Sequence, residues 1–140
     1  MNDVVSSVSE DKFPRVCLVD GAISRPDGSF ELVRIKRLDV FNYSLIYLLF
    51  KISGNQHGKT QTLMVEFKVP PVVKTYTVTD RSSNPVHVFF MPSGMPVMLQ
   101  ATSGTLAVTR FDVLTGIIEG RLQVATEKYK MQAKFEVLAA

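Results

Sequence analysis

The segment Gly54-Asn55-Gln56-His57-Gly58-Lys59-Thr60 suggests chemistry first, because Gly58-Lys59-Thr60 copies the end of a phosphate-binding loop. That loop needs four residues between its glycines where this chain has three, and an alternating run rather than a helix follows Thr60. Without a helix N-terminus there is neither an amide cradle nor a dipole for a phosphate. The segment reads as a polar hairpin tip, with His57 on it. The other histidine, His87, lies between Val86 and Val88 in an extended run and reads as an outward or hydrogen-bonded strand residue. General acid–base work would need one of the two beside a carboxylate or nucleophile, and no G-x-S-x-G elbow marks a serine for that role. Cys17, between Val16 and Leu18, has no partner cysteine, and no HExxH or CxxC motif appears. Neither a disulfide nor a metal cofactor is expected.

The most unusual stretch is Val88 to Leu99, VFFMPSGMPVML. Thioethers at this spacing could hold Cu(I). Methionine more often serves as adaptable filler or as a flexible apolar contact surface. The stretch is therefore expected to be an apolar loop at a rim or interface, with Phe89, Phe90, Met91, Met95 and Met98 as candidate contacts. The run 44–52, SLIYLLFKI, is apolar on both sides when read as a strand, which adds Tyr47 and Phe50 as interface candidates. Strands of that kind are central, covered by a second layer, or part of a subunit contact.

These residues must be positioned by strands. The chain of 140 residues is 46% hydrophobic and 21% charged, a single domain able to bury a core and too apolar to be disordered. Apolar residues recur at period two: Leu63, Val65, Phe67 and Val69; Ile118, Gly120, Leu122 and Val124; Tyr129, Met131, Ala133, Phe135 and Val137. Further strands are expected at 15–19, 29–37, 44–52, 73–78, 86–91, 96–101 and 104–112. Turn chemistry separates them at Pro26-Asp27-Gly28, Gly54-Asn55, Pro70-Pro71, Ser83-Asn84-Pro85, Pro92-Ser93-Gly94 and Thr115-Gly116. The segment 38–48 is the best candidate for a helix, but its β-branched and aromatic residues favour strand. Phe30 and Leu32 fall out of phase with Val33 and Ile35, which suggests a β-bulge.

A two-residue turn at Thr126-Glu127 would set Val124 opposite Tyr129, Leu122 opposite Met131, Gly120 opposite Ala133 and Ile118 opposite Phe135. Arg121 would then meet Gln132, and Glu119 would meet Lys134. Gly120 leaves a thin spot on the inner face, room for a bend, an aromatic ring or a ligand niche.

The charge is mild. Sixteen basic against thirteen acidic residues give +3, and three of the acids fall in the first eleven positions, which carry no Lys or Arg. Residues 1–12 are expected to form a flexible acidic tail, and 13–140 the β domain; from Lys12 onward the chain carries +6. The basic residues are interspersed with acids, and Lys128, Lys130 and Lys134 project away from Tyr129 and Phe135, so nucleic acid is not an expected partner. No stretch approaches a membrane span. With no export signal and an unpaired cysteine, the expected setting is cytoplasmic.

Ser103-Gly104-Thr105-Leu106-Ala107-Val108-Thr109-Arg110-Phe111-Asp112, then Gly116-Ile117-Ile118-Glu119-Gly120-Arg121-Leu122 and a final strand ending Lys134-Phe135-Glu136-Val137, resemble a recurrent bacterial β-rich domain. Its members are calycin-like or sandwich proteins, often lipoproteins, mostly without a characterised activity. Leu122 stands where that pattern usually has Phe. The resemblance implies an all-β domain and assigns no functional residue.

The expectation is thus an all-β antiparallel sandwich or flattened β-barrel of about eight to ten strands. The first functional reading is a non-enzymatic binding or interaction protein, self-associating through 44–52 and 88–99, with a protein or a second copy as partner. An alternative is a barrel holding a small apolar ligand in a cup lined by Phe50, Phe67, Phe90, Leu122 and Phe135 beside Gly120. A third is a hydrolase assembled from distant residues.

Overall fold

The computed structural model describes residues 15–56 and 58–140; the acidic tail at 1–12 and His57 lie outside the described residues. Eleven strands and no helix are found among them: β1 (Arg15–Ser24), β2 (Phe30–Ile35), β3 (Arg37–Ser44), β4 (Tyr47–Gln56), β5 (Lys59–Phe67), β6 (Thr75–Thr77), β7 (Val86–Met91), β8 (Leu99–Gln100), β9 (Ser103–Phe111), β10 (Ile118–Ala125) and β11 (Lys130–Ala139). They form two antiparallel sheets, β2-β1-β11-β10-β9-β6 and β3-β4-β5-β7-β8, packed face to face. The molecule is a sandwich and is not closed into a barrel.

Alternation builds the core as expected. Val19 and Ile23 of β1, Leu122 and Val124 of β10, and Met131, Phe135 and Val137 of β11 face Leu48, Phe50 and Ile52 of β4 and Leu63, Val65 and Phe67 of β5. The Phe50 and Phe135 rings meet across the layers at 5.4 Å, as do Phe67 and Tyr76. Phe50, Phe67, Phe90, Leu122 and Phe135, the side chains expected around a cup, are at most 2% exposed and fill the interior.

The segment 38–48 is strand and turn, as its β-branched and aromatic residues favoured. Three local expectations are corrected. Leu45 and Ile46, expected to extend the doubly apolar strand, stand exposed in the β3–β4 turn. The expected strand 96–101 shrinks to the two residues of β8. No bulge occurs at Leu32-Val33, since β2 pairs with β1 without a register shift and simply carries apolar side chains on both faces. The bulges fall instead between Leu38 and Val40 and between Glu119 and Gly120.

The last hairpin is also two residues out of the expected register. Thr126 N–H donates to the Tyr129 carbonyl, and the Thr126 hydroxyl accepts from the Lys128 and Tyr129 amides, so a four-residue loop replaces the two-residue turn. Val124 therefore faces Met131, Leu122 faces Ala133, Gly120 faces Phe135 and Ile118 faces Val137. A shift of two preserves which face each residue takes and changes every neighbour.

Candidate functional site

The residues singled out from the sequence divide into three groups. Phe50, Phe67, Phe90 and Gly120 belong to the core. A Cβ on Gly120 would lie 2.6 Å from the Phe135 ring and 2.4 Å from the Ala107 carbonyl oxygen, so the thin spot is filled by that ring. Tyr47, Phe89 and Met91 are half-buried on the outward face of the five-stranded sheet, where Met64 sits between Lys51 and Phe89. Met95 and Met98 lie in the 92–98 loop, and the Tyr129 hydroxyl contacts the Met95 sulfur at 3.8 Å.

Tyr47, Glu66 and His87 form a polar chain on that same face. The Tyr47 hydroxyl donates to Glu66 at 2.8 Å, and its pKa is pushed up to about 12 by burial and by the carboxylate beside it. The His87 ring is 5% exposed, with Nδ1 3.6 Å from Glu66 and Nε2 2.7 Å from the Arg81 carbonyl. Among the described residues no serine, threonine or cysteine side chain bonds it. These contacts pin the 78–85 loop to β7 and place no nucleophile beside a base. Cys17 is likewise buried, its thiol donating to the Lys36 carbonyl at 2.8 Å, and burial followed by the Asp39 charge raises its pKa to about 11.

A separate depression lies on the outward face of the six-stranded sheet. Cross-strand register sets out its rows. Phe30, Ser24, Lys130 and Ala125 share one row; Leu32, Ala22, Gln132 and Gln123 share the next; Arg34, Asp20, Lys134 and Arg121 share a third. The small side chains of Ala22, Ser24 and Ala125, with Gly104 beyond them, leave a depression of about 560 Å³. Phe30, 66% exposed, stands at its rim. An adjoining depression of about 310 Å³ shares Gln123 and Gln132 with it and adds Asp20, Arg121 and Lys134. Together they make one shallow channel across β1, β11 and β10. The larger part falls within the size range of ligand pockets.

The polar groups of this channel are uncommitted. Gln123 stands directly opposite Gln132, and neither amide bonds another group among the described residues. Arg121 stands directly opposite Lys134, both exposed, and neither has an acidic partner within ion-pair distance there; Lys130 is also unpaired. The acids nearby are committed: Asp20 pairs with Arg34 at 3.3 Å, and Glu119 with Arg110 at 2.9 Å. Glu136 lies opposite Glu119, one row beyond the channel.

The 92–98 loop is tied to β2 through Glu31, whose side chain lies on the face opposite Phe30 and Leu32. Its carboxylate accepts from the Ser93 amide at 2.8 Å, from Gln61 at 2.6 Å and from Arg25. Burial opposes ionisation of Glu31, but these donors outweigh it and hold its carboxyl below the ordinary value of 4.5. Gln61, 1% exposed, also donates to the Leu32 carbonyl on the free edge of β2.

Phe30, Arg121, Gln123 and Gln132 were not among the sequence candidates. The phase change at Leu32-Val33 was the available signal for Phe30, since a bulge is not the only cause of apolar residues on both sides of a strand. No match to this chain was found among family models, curated proteins or solved structures.

Proposed function

We propose that the protein is a non-catalytic binding protein whose ligand lies along the outward face of the six-stranded sheet. The observation that carries this reading is the channel floored by Ala22 and Ala125, in which two amides, three cations and an exposed aromatic ring converge without partners of their own. Solvated strand faces commonly pair opposite charges across strands; here Lys134 has Asp20 on one side and the like-charged Arg121 on the other. The test is native mass spectrometry of the chain purified from its own host, beside an Ala22→Trp variant that fills the channel. A retained small molecule in the parent and not in the variant supports the reading; the same molecule retained by both places binding elsewhere.

A second reading, self-association, is favoured by one further observation. The Tyr43 hydroxyl donates to the Val113 carbonyl, which brings the β3–β4 turn and the β9–β10 turn to one end of the sandwich. Leu45 and Ile46 on the first and Val113 and Leu114 on the second are between 54% and 84% exposed. Two such turns give an apolar end that a second copy can cover by two-fold symmetry.

A further inference from the structure

We infer that the ligand of the channel is an acidic, hydroxyl-rich chain, an oligosaccharide of uronic-acid type. The inference rests on the binding reading above and names its ligand class. Three features of the face each require a different part of that ligand.

The first is charge. Arg121 and Lys134 are nearest cross-strand neighbours; Lys134 has Asp20, itself paired with Arg34, on its other side, while Arg121 has no acid within ion-pair distance, so the row keeps an excess of positive charge at its Arg121 end. The guanidinium fork of Arg121 matches a carboxylate bidentately, and the lysine adds a point charge beside it. Lys130 lies four residues along β11 from Lys134, roughly 13 Å away, so a second acidic group is accommodated at the far end of the same chain.

The second is the stretch between those charges. The paired Gln123 and Gln132 amides offer both donors and acceptors side by side. Hydroxyl groups, which also donate and accept, satisfy both. An inorganic anion or polyphosphate supplies only acceptors; an acidic peptide supplies both through its backbone amides and is separated from a sugar by the oligoglutamate comparison below.

The third is the apolar part. Ala22 and Ala125 keep the floor low, and the exposed Phe30 ring and neighbouring Leu32 present apolar surface at one side. A sugar ring has a C–H face for such a surface and hydroxyls at its edge for the amides. A single-stranded nucleic acid also combines charge with flat faces, but it is held by several stacking aromatics. Phe30 is the one aromatic at an outward position of β1, β2, β10 and β11.

The test titrates the full chain, by calorimetry at low salt, with an oligogalacturonate. The comparison ligands are its fully methyl-esterified form, an oligoglutamate of equal charge and a single-stranded oligonucleotide. The oligogalacturonate is expected to bind, with affinity falling as salt rises. Esterification is expected to weaken it at least tenfold, because it removes the charges and keeps the ring hydroxyls. Arg121→Gln with Lys134→Gln is expected to weaken it at least tenfold as well, while thermal stability is unchanged or raised because the like-charge pair is gone. Gln132→Ala should lower affinity for both the acid and its ester. If the oligoglutamate or oligonucleotide binds as tightly as the uronate, or the uronate does not bind, the ligand class is overturned and the channel reading stands. Binding that none of these variants changes overturns the channel reading itself.

Discussion

Cys17 and Gly120 show how little room the interior leaves at single positions. The Cys17 thiol is buried and committed to the Lys36 carbonyl, and its pKa of about 11 keeps the nucleophilic thiolate scarce at neutral pH. Iodoacetamide is therefore expected to leave the native chain unmodified over hours and to alkylate it promptly in denaturant, a contrast that intact-mass measurement reads directly. Rapid native labelling would mean that β1 opens at its Cys17 end. At Gly120 the absent side chain is what admits Phe135. Gly120→Ala drives a methyl into that ring and into the Ala107 carbonyl, and is expected to cost about 1–3 kcal/mol, as overpacking of a filled core does. Chemical denaturation measures it, and Phe135→Leu in the same background should recover part of the loss by making space. The sequence made the thin spot visible, and an aromatic ring was one of its stated readings. It could not show which ring, because that depended on a hairpin register two residues away from the expected one.

At the level of elements, period-two alternation was enough to read most strands, and the inner face of β5, β10 and β11. Alternation carries no information on absolute register beyond its parity, which is why the β10–β11 pairing could slip by two and still bury the same residues. That slip hid the candidate site. With Arg121 set opposite Gln132, the face looked like a solvated mixture; with Arg121 opposite Lys134 and Gln123 opposite Gln132, it becomes a row of uncommitted groups. The local cause is the Thr126 hydroxyl, which closes a four-residue loop by accepting two amides. Thr126→Val is expected to destabilise the hairpin by about 1 kcal/mol through those unmet donors, measurable by thermal melting.

The Glu31 clasp belongs to the same scale, because it ties the 92–98 loop to β2 through groups far apart in the chain, a link that no local pattern announces. Its carboxyl ionises below the ordinary value in the folded chain. Its stabilisation is thus complete above about 4.5 and is lost as the pH falls through the lowered folded value. The melting temperature should drop over that acid window. Glu31→Gln should melt lower at neutral pH, by the equivalent of about 1–3 kcal/mol, and respond less to acid. Asp39, whose carboxyl is also held low by Ser53 and Arg37 against the cost of burial, retains its share of the acid response in that variant.

Seen as a whole, the sandwich places its polar channel on one broad face and its exposed apolar turns at one end, so ligand binding and self-association would use different surfaces. The free edges bear on which contact is open to a second copy. Of the four edges, β6 and β8 are short, Gln61 occupies the Leu32 carbonyl on β2, and β3 is interrupted by the bulge between Leu38 and Val40, so they are poor templates for another chain's strand. The apolar end has no such protection: Leu45, Ile46, Val113 and Leu114 stand out from turns fastened together by Tyr43. If that end is where two copies meet, sedimentation velocity should show a dimer that strengthens with concentration. Ile46→Lys with Leu114→Lys should return it to monomer, with the fold and the channel's ligand affinity unchanged, because neither residue touches the core or the channel. A dimer that survives both lysines would move the contact to the outward face of the five-stranded sheet, where Tyr47, Phe89 and Met91 lie half-buried, and Phe89→Lys would then be the variant that breaks it. A monomer at every concentration would remove self-association and leave the channel as the surface on which function rests.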